Sequence, residues 1–154
     1  MNVIVEAAVE SLDAALAAVE GGAHRLELCT DLARGGTAPD VQLLRDLLSR
    51  LQIPVFVLVR PRAGDFVYTA AEHRTMREQI ERAKSAGAYG IVTGALTGRQ
   101  EIDEVRTSEL IAAARLLPAT FHRAFDRLHG RQLQRPGEDQ RSGIPGARSE
   151  LKKR

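Results

Sequence analysis

The hydrophobic positions of this chain fall into five short runs, separated by longer stretches that have helical spacing. The runs begin near residues 3, 25, 54, 89 and 119. The clearest run, Ile53 to Val59, is rich in β-branched residues and too short for a globular helix, which is typical of a strand buried on both faces. Alternating strands and helices at this spacing predict an α/β fold with a parallel sheet and right-handed crossovers.

Four of the intervening stretches have the pattern of an amphipathic helix. The predicted helices span about residues 12–20, 40–51, 70–86 and 104–116. The strongest start signal is the capping box of Thr69 and Glu72, and Gly87 is placed to end the same helix. The inward positions of the last helix are predicted to be Val105, Leu110, Ile111 and Ala114.

The strand ends distinguish between two parallel architectures. An open doubly wound sheet usually has a Gly-rich phosphate loop after its first strand, but here the first run ends at Glu6 and continues to Ser11 without a glycine. Four of the five runs end in ionisable or polar side chains. Because a barrel gathers all its strand ends at one rim, this pattern favours a partial TIM (β/α)8 barrel.

Composition and charge narrow the classes of function. The 154 residues are 44% hydrophobic but only 4% aromatic, which suits helices packed on a sheet. Residues 127–154 carry eight Lys or Arg and three Asp or Glu, so the total charge of +2 leaves −3 for residues 1–126. No nucleic-acid partner is therefore expected.

The sequence has no secretory signal and no membrane-spanning apolar run, which predicts a cytoplasmic protein without a membrane partner.

Two arginines follow the third run, in the segment Arg60-Pro61-Arg62. At the carboxyl end of a buried parallel strand they are placed to clamp a carboxylate or phosphate. The alternative is that they pair with Glu6 or Glu27, which end neighbouring strands. The two glutamates are themselves candidates for proton transfer or metal binding, with charge balance for the arginines as the competing interpretation.

A second group of ionisable residues lies at the end of the fifth run. His122 is a candidate general acid or base, Arg123 a candidate anion contact, and Asp126 a candidate orienting carboxylate. The competing interpretation is a structural histidine. The other histidines are predicted to lie at the surface: His24, His73 and His129.

Specific motifs occur at these strand ends. Arg60-Pro61-Arg62 is followed by Gly64-Asp65-Phe66, and the last run has the segment Phe121-His122-Arg123-Ala124-Phe125-Asp126. With Leu26-Glu27-Leu28-Cys29 and other matches over about residues 2–126, these motifs resemble the CutC family. The resemblance implies a TIM barrel and a cytosolic role in copper homeostasis through copper(I) binding.

If copper(I) is the ligand, Cys29 is the candidate metal ligand, because soft thiolates select this ion. The alternative is that Cys29 is a small buried hydrophobe. The sequence has no CxxC motif or Met-rich cluster, and Ala7 stands where family members often carry a cysteine. Ala38 stands where family members usually carry a threonine, directly before Pro39.

The resemblance ends after Asp126, whereas family members continue through three more βα units. The sequence therefore predicts an incomplete barrel over residues 1–126 and a disordered basic tail over 127–154, typical of a frameshift or splice variant. The open strand edges predict self-association into a homo-oligomer. Three functions stay open: a CutC-type copper homeostasis protein, a TIM-barrel enzyme of unknown reaction acting on a small anionic metabolite, and a truncated variant without function.

Overall fold

The computed structural model describes residues 3–128, which form a five-stranded sheet with helices between successive strands. The strands are β1 (Glu6–Val9), β2 (Arg25–Leu28), β3 (Val55–Leu58), β4 (Gly90–Thr93) and β5 (Ala119–Phe121). The helices are α1 (Leu12–Glu20), α2 (Val41–Arg50), α3 (Ala70–Ala86) and α4 (Glu104–Ala113). Short 3-10 segments follow β2 and β5, at Leu32–Arg34 and Arg123–Arg127.

The strand order confirms the predicted architecture. The strands lie in the order β1-β2-β3-β4-β5, and every neighbouring pair is parallel. A doubly wound sheet would reverse this order at a switch point, whereas a barrel adds each strand beside the previous one. The described residues therefore form five consecutive strands of a partial TIM barrel. Within this part of the chain β1 and β5 each have one paired neighbour, and self-association stays a prediction.

Alternate residues of each strand face the helices. The residues on this face that pack with α2 and α3 are Leu26, Leu28, Val55 and Val57. Because both faces of β3 are buried, its sequence is a continuous apolar run. The opposite face, here called the inner face, carries a smaller cluster of Cys29, Phe56, Leu58 and Val92. Gly90 leaves room for the Phe56 ring, since a Cβ at this position would lie 2.3 Å from a ring carbon.

The helix ends agree with the predictions from local sequence. The Ser11 hydroxyl accepts a hydrogen bond from the Ala14 N–H. Both hydrogen bonds of the capping box between Thr69 and Glu72 are present, and α3 ends at Gly87 with a φ of 95°. No helix within residues 3–128 is long and apolar enough to cross a membrane.

The predicted bounds of the first and last strands were wrong. The first apolar run was expected to form the strand, but Val3, Ile4 and Val5 are 75%, 66% and 49% exposed and β1 begins at Glu6. β1 begins where Glu6 pairs with Arg25 of β2. This register depends on the partner strand, so the apolar run alone does not determine it. The last strand ends at Phe121, since the chain then turns into a 3-10 segment.

Three burial predictions on the helices were also wrong. Val105 and Ile111 are 70% and 51% exposed, because α4 packs through the face that carries Thr107 and Leu110. His73 was expected at the surface but is 8% exposed, and its Nε2 lies 3.3 Å from the Arg106 carbonyl oxygen. His129 lies outside the described residues.

Candidate functional site

A cavity of about 320 Å³ lies on the inner face of the sheet. Its polar lining residues are Glu6, Glu27, Arg60, Thr120, His122 and Arg123, and its apolar ones include Leu58, Phe66, Val92 and Phe121. Five residues predicted as site residues therefore meet here, whereas Arg62, Asp126 and Cys29 do not line the cavity. The volume is at the lower end of the range for small-molecule sites.

Arg60 joins two loops beside the cavity. It is only 1% exposed, and its Nη1 donates to the carbonyl oxygens of Gly35 and Gly36 at 3.1 and 2.7 Å. Its Nη2 donates to the Gly64 carbonyl oxygen at 2.8 Å, and the guanidinium lies 4.8 Å from the centre of the Phe66 ring. Arg60 pairs with neither strand glutamate and with no other carboxylate in residues 3–128. Its charge is therefore buried without a counter-charge.

Arg62 has a different role from Arg60, although only Pro61 separates them. Its Nε donates to Glu72 Oε1 at 2.5 Å and its Nη2 to Asp65 Oδ1 at 2.9 Å. The guanidinium also lies 5.4 Å from the centre of the Tyr68 ring. These contacts tie the loop after β3 to the start of α3, outside the cavity.

His122 follows β5 directly and is held in one orientation. Its Nδ1 accepts a hydrogen bond from the Ala124 N–H at 3.2 Å, so a neutral ring carries its proton on Nε2. The ring lies between Phe66 and Phe121, at centroid distances of 4.9 and 5.8 Å. Nε2 is buried and has no hydrogen-bond partner among the described residues. A buried donor without an acceptor is costly, which makes Nε2–H a position where a ligand oxygen would be stabilised.

The environment of His122 keeps its ring neutral. Burial lowers the pKa of His122 from 6.5 to about 4, and the positive charges of Arg60 and Arg123 add to this effect. At neutral pH the ring therefore acts as a hydrogen-bond donor through Nε2 and carries no charge. Asp126, predicted to orient the ring, is exposed and outside the cavity, and the Ala124 N–H contacts Nδ1 instead.

Arg123 brings a second positive charge to the cavity. Its guanidinium packs against Gly35, where a Cβ would lie 1.8 Å from Nη2. Gly35 also has a φ of 91°, so both the backbone conformation and the space require glycine. Arg123 forms no ion pair with a carboxylate in the part of the chain that the structure describes.

Sequence reasoning missed several cavity residues. Gly35, Phe66, Thr120 and Phe121 line the cavity but were not assigned to a site from the sequence. The Gly35-Gly36 pair and the phenylalanines beside Asp65 and His122 are sequence signals that pointed to this loop cluster. They became informative only once the loops after β2, β3 and β5 were placed together.

The two glutamates of the cavity differ in their partners. Glu6 forms an ion pair with Arg25, whose guanidinium lies 4.4 Å from the centre of the Phe56 ring. Glu27 has no ion pair or hydrogen bond to another described side chain. Burial raises the pKa of Glu27, and the negative charge of Glu6 raises it further. Glu27 thus holds a proton more readily than an ordinary glutamate.

Cys29 lies in an apolar environment. It is 1% exposed, packs with Phe56, Leu58 and Val92, and its Sγ lies 3.5 Å from the Val9 carbonyl oxygen. Burial raises the pKa of the Cys29 thiol to about 11, so it stays protonated at neutral pH. Residues 3–128 contain no group of three or more His, Cys, Asp or Glu that would hold a metal ion. These surroundings fit a small buried hydrophobe better than a thiolate metal ligand.

Known proteins resemble this chain over most of its length. The human copper homeostasis protein cutC homolog is 47% identical over 126 residues, which cover 82% of this chain and 46% of the human protein. A CutC family protein from Histophilus somni is 45% identical over 122 residues, covering 79% of this chain and 50% of that protein. The chain thus spans about half the length of these curated relatives.

A solved structure and a sequence model of the same family also match this chain. The crystal structure of CutC from Streptococcus agalactiae superposes with a TM-score of 0.77 at 35% identity, covering 82% of this chain and 62% of that one. The sequence model of the CutC family matches residues 3–134. The chain therefore belongs to the CutC family.

Proposed function

We propose that the inner-face cavity binds a small anionic metabolite and supports proton transfer to or from it. The single observation that carries this proposal is the buried Nε2–H of His122, which has no acceptor within residues 3–128. Arg60 and Arg123 line the same cavity and have no carboxylate partner there. One buried donor and two positive charges around a cavity of about 320 Å³ favour a ligand that supplies anionic oxygen.

Each basic group has a distinct part in the proposed site. Arg60 contributes its positive charge, while its Nη1 and Nη2 donate hydrogen bonds to loop carbonyl oxygens. Arg123 is more exposed and has donors available for a carboxylate or phosphate, and His122 adds one neutral donor. Glu27, with its raised pKa, is the proposed proton-transfer group. The site is therefore that of an enzyme whose reaction involves a proton at or near the anion.

Arg123→Ala is expected to weaken anion binding by roughly ten- to a hundredfold, because a charge-assisted hydrogen bond contributes about 1.5–3 kcal/mol. Calorimetric titration with succinate, malate and inorganic phosphate measures the effect. Arg127→Ala is the matched control, since it lies in the same 3-10 segment and does not line the cavity. Equal affinities of wild-type protein and Arg123→Ala for every anion that binds, or no binding at all, would contradict the proposal.

A second candidate is copper(I) binding, because the human and mouse relatives are called copper homeostasis protein cutC homologs. The residues of the described part do not fit this function well. Cys29 is buried and protonated, and Met76 of α3 packs in a different apolar cluster. The fold of residues 3–128 therefore does not bring the two sulfur atoms together as a pair of soft ligands.

Cys29→Ser separates the two candidate functions. We expect this change to alter anion affinity by less than about twofold, since Cys29 does not line the cavity. Competition with a copper(I) chelator, on the wild-type and Cys29→Ser proteins, is expected to show no copper binding that depends on Cys29. Tight copper(I) binding that Cys29→Ser abolishes would support the copper function instead.

A further inference from the structure

The charges around the inner-face cavity are separated rather than paired. Glu27 and Arg123 both line the cavity, yet no ion pair joins them. Glu6 forms an ion pair with Arg25, whereas Glu27 forms no ion pair with a described residue and feels the charge of Arg25 only at a distance. The cavity thus presents a carboxyl group without an ion pair together with Arg60, Arg123 and the His122 donor.

We infer that the ligand of this cavity is a small zwitterion, with a carboxylate or phosphate facing Arg123 and His122 and an ammonium group facing Glu27. This inference rests on the proposed anion site and specifies its ligand. It follows from the geometry of charges that share one cavity without contacting each other. A ligand that bridges them supplies each of them with a direct ion pair, which the described residues do not provide.

Simpler ligands satisfy only part of this arrangement. A plain anion compensates the arginines but places added negative charge beside the half-buried Glu27, which is unfavourable. A plain amine compensates Glu27 but leaves Arg60 and Arg123 without a counter-charge. A zwitterion avoids both costs, and the rings of Phe66 and Phe121 provide an apolar wall for its carbon atoms.

Matched ligands test the inference on the 154-residue chain. The carboxylate series is serine, glycerate and 3-hydroxypropionate, and the phosphate series is phosphoethanolamine, 2-hydroxyethyl phosphate and ethyl phosphate. In each series the members share the anionic group and differ in the amino, hydroxyl or hydrogen substituent. In at least one series, the amino member is expected to bind roughly tenfold or more tightly than both analogues. Calorimetry gives the affinities, and the series that binds better identifies the anionic group.

Variants assign the preference to Glu27. Glu27→Gln is expected to remove the advantage of the amino member while the analogues keep their affinity, whereas Arg123→Ala weakens all members of a series. Glu20→Gln, at the exposed end of α1, is the matched control. Circular dichroism on each variant verifies that the fold is retained.

The outcomes separate this inference from the function on which it rests. If the anions bind through Arg123 but the amino and hydroxyl members have equal affinity, the ligand is not a zwitterion and the anion site stands. The same conclusion follows if Glu27→Gln keeps the preference for the amino member. If no member of either series binds, both the anion site and the zwitterion are wrong.

Discussion

Arg60→Ala is expected to lower the free energy of unfolding by about 3–5 kcal/mol, because one buried guanidinium holds two loops together. The change removes the donors to Gly35, Gly36 and Gly64 and leaves these carbonyl groups without that partner. It also creates a cavity next to Phe66, where the guanidinium now packs on the ring. Urea unfolding followed by circular dichroism measures the loss.

Arg62→Ala is the comparison for this prediction. The Arg62 side chain is 37% exposed, and its ion pairs with Asp65 and Glu72 are partly solvated. Its removal is expected to cost about 1 kcal/mol or less. Arg60→Lys should recover only part of the lost stability, since a single ammonium cannot reproduce the planar fork that reaches both loops. A loss below about 1 kcal/mol for Arg60→Ala would mean that the loops hold without it.

The second large effect is a dependence of stability on pH that comes from His122. The pKa of this ring is 6.5 in its ordinary state and about 4 in the fold, so the unfolded chain takes up the proton first as the pH falls. Between these two values the unfolded state binds more protons, and the free energy of unfolding decreases as the pH is lowered. Over the whole window the ring contributes a loss of about 3 kcal/mol. Above pH 6.5 this contribution to stability is fully present.

His122→Gln isolates the effect of the ring. Urea unfolding of the wild-type and His122→Gln proteins between pH 7 and pH 4 is expected to show a pH dependence that is smaller in the variant by about 3 kcal/mol. Glu27 contributes with the opposite sign, since its raised pKa favours the folded state as the pH falls toward 4.5, but this contribution is common to both proteins. Identical pH dependence of the two proteins would show that His122 titrates normally.

Local signals in the sequence were sufficient for most secondary structure. The predicted helix starts near residues 12 and 104, the start at Thr69 and the end at Gly87 were correct, because caps depend on residues within one turn of each other. The apolar runs located β2, β3 and β4 and indicated a parallel sheet. The start of β1 was missed because strand pairing, which decides it, is a contact between residues far apart in sequence.

The sequence predicted which residues belong to the candidate site better than it predicted how they are arranged. Parallel strands bring their ends together, and this rule was enough to place Glu6, Glu27, Arg60, His122 and Arg123 around one cavity. The rule does not say where a side chain turns after its strand has ended. Arg60 and Arg62 have the same charge and similar sequence surroundings, but one is buried under two loops and the other pairs with α3.

The sequence by itself determined the order of strands and helices, the family, and which ionisable residues follow each strand, since these properties depend on local pattern and motif. Only the tertiary structure decided which of those residues share a cavity and which charges are left unpaired. Burial and the packing of loops distant in sequence set the pKa of His122 and the partners of Arg60. Both are properties of the assembled loops, because desolvation and hydrogen bonding depend on neighbours that the chain brings together only on folding.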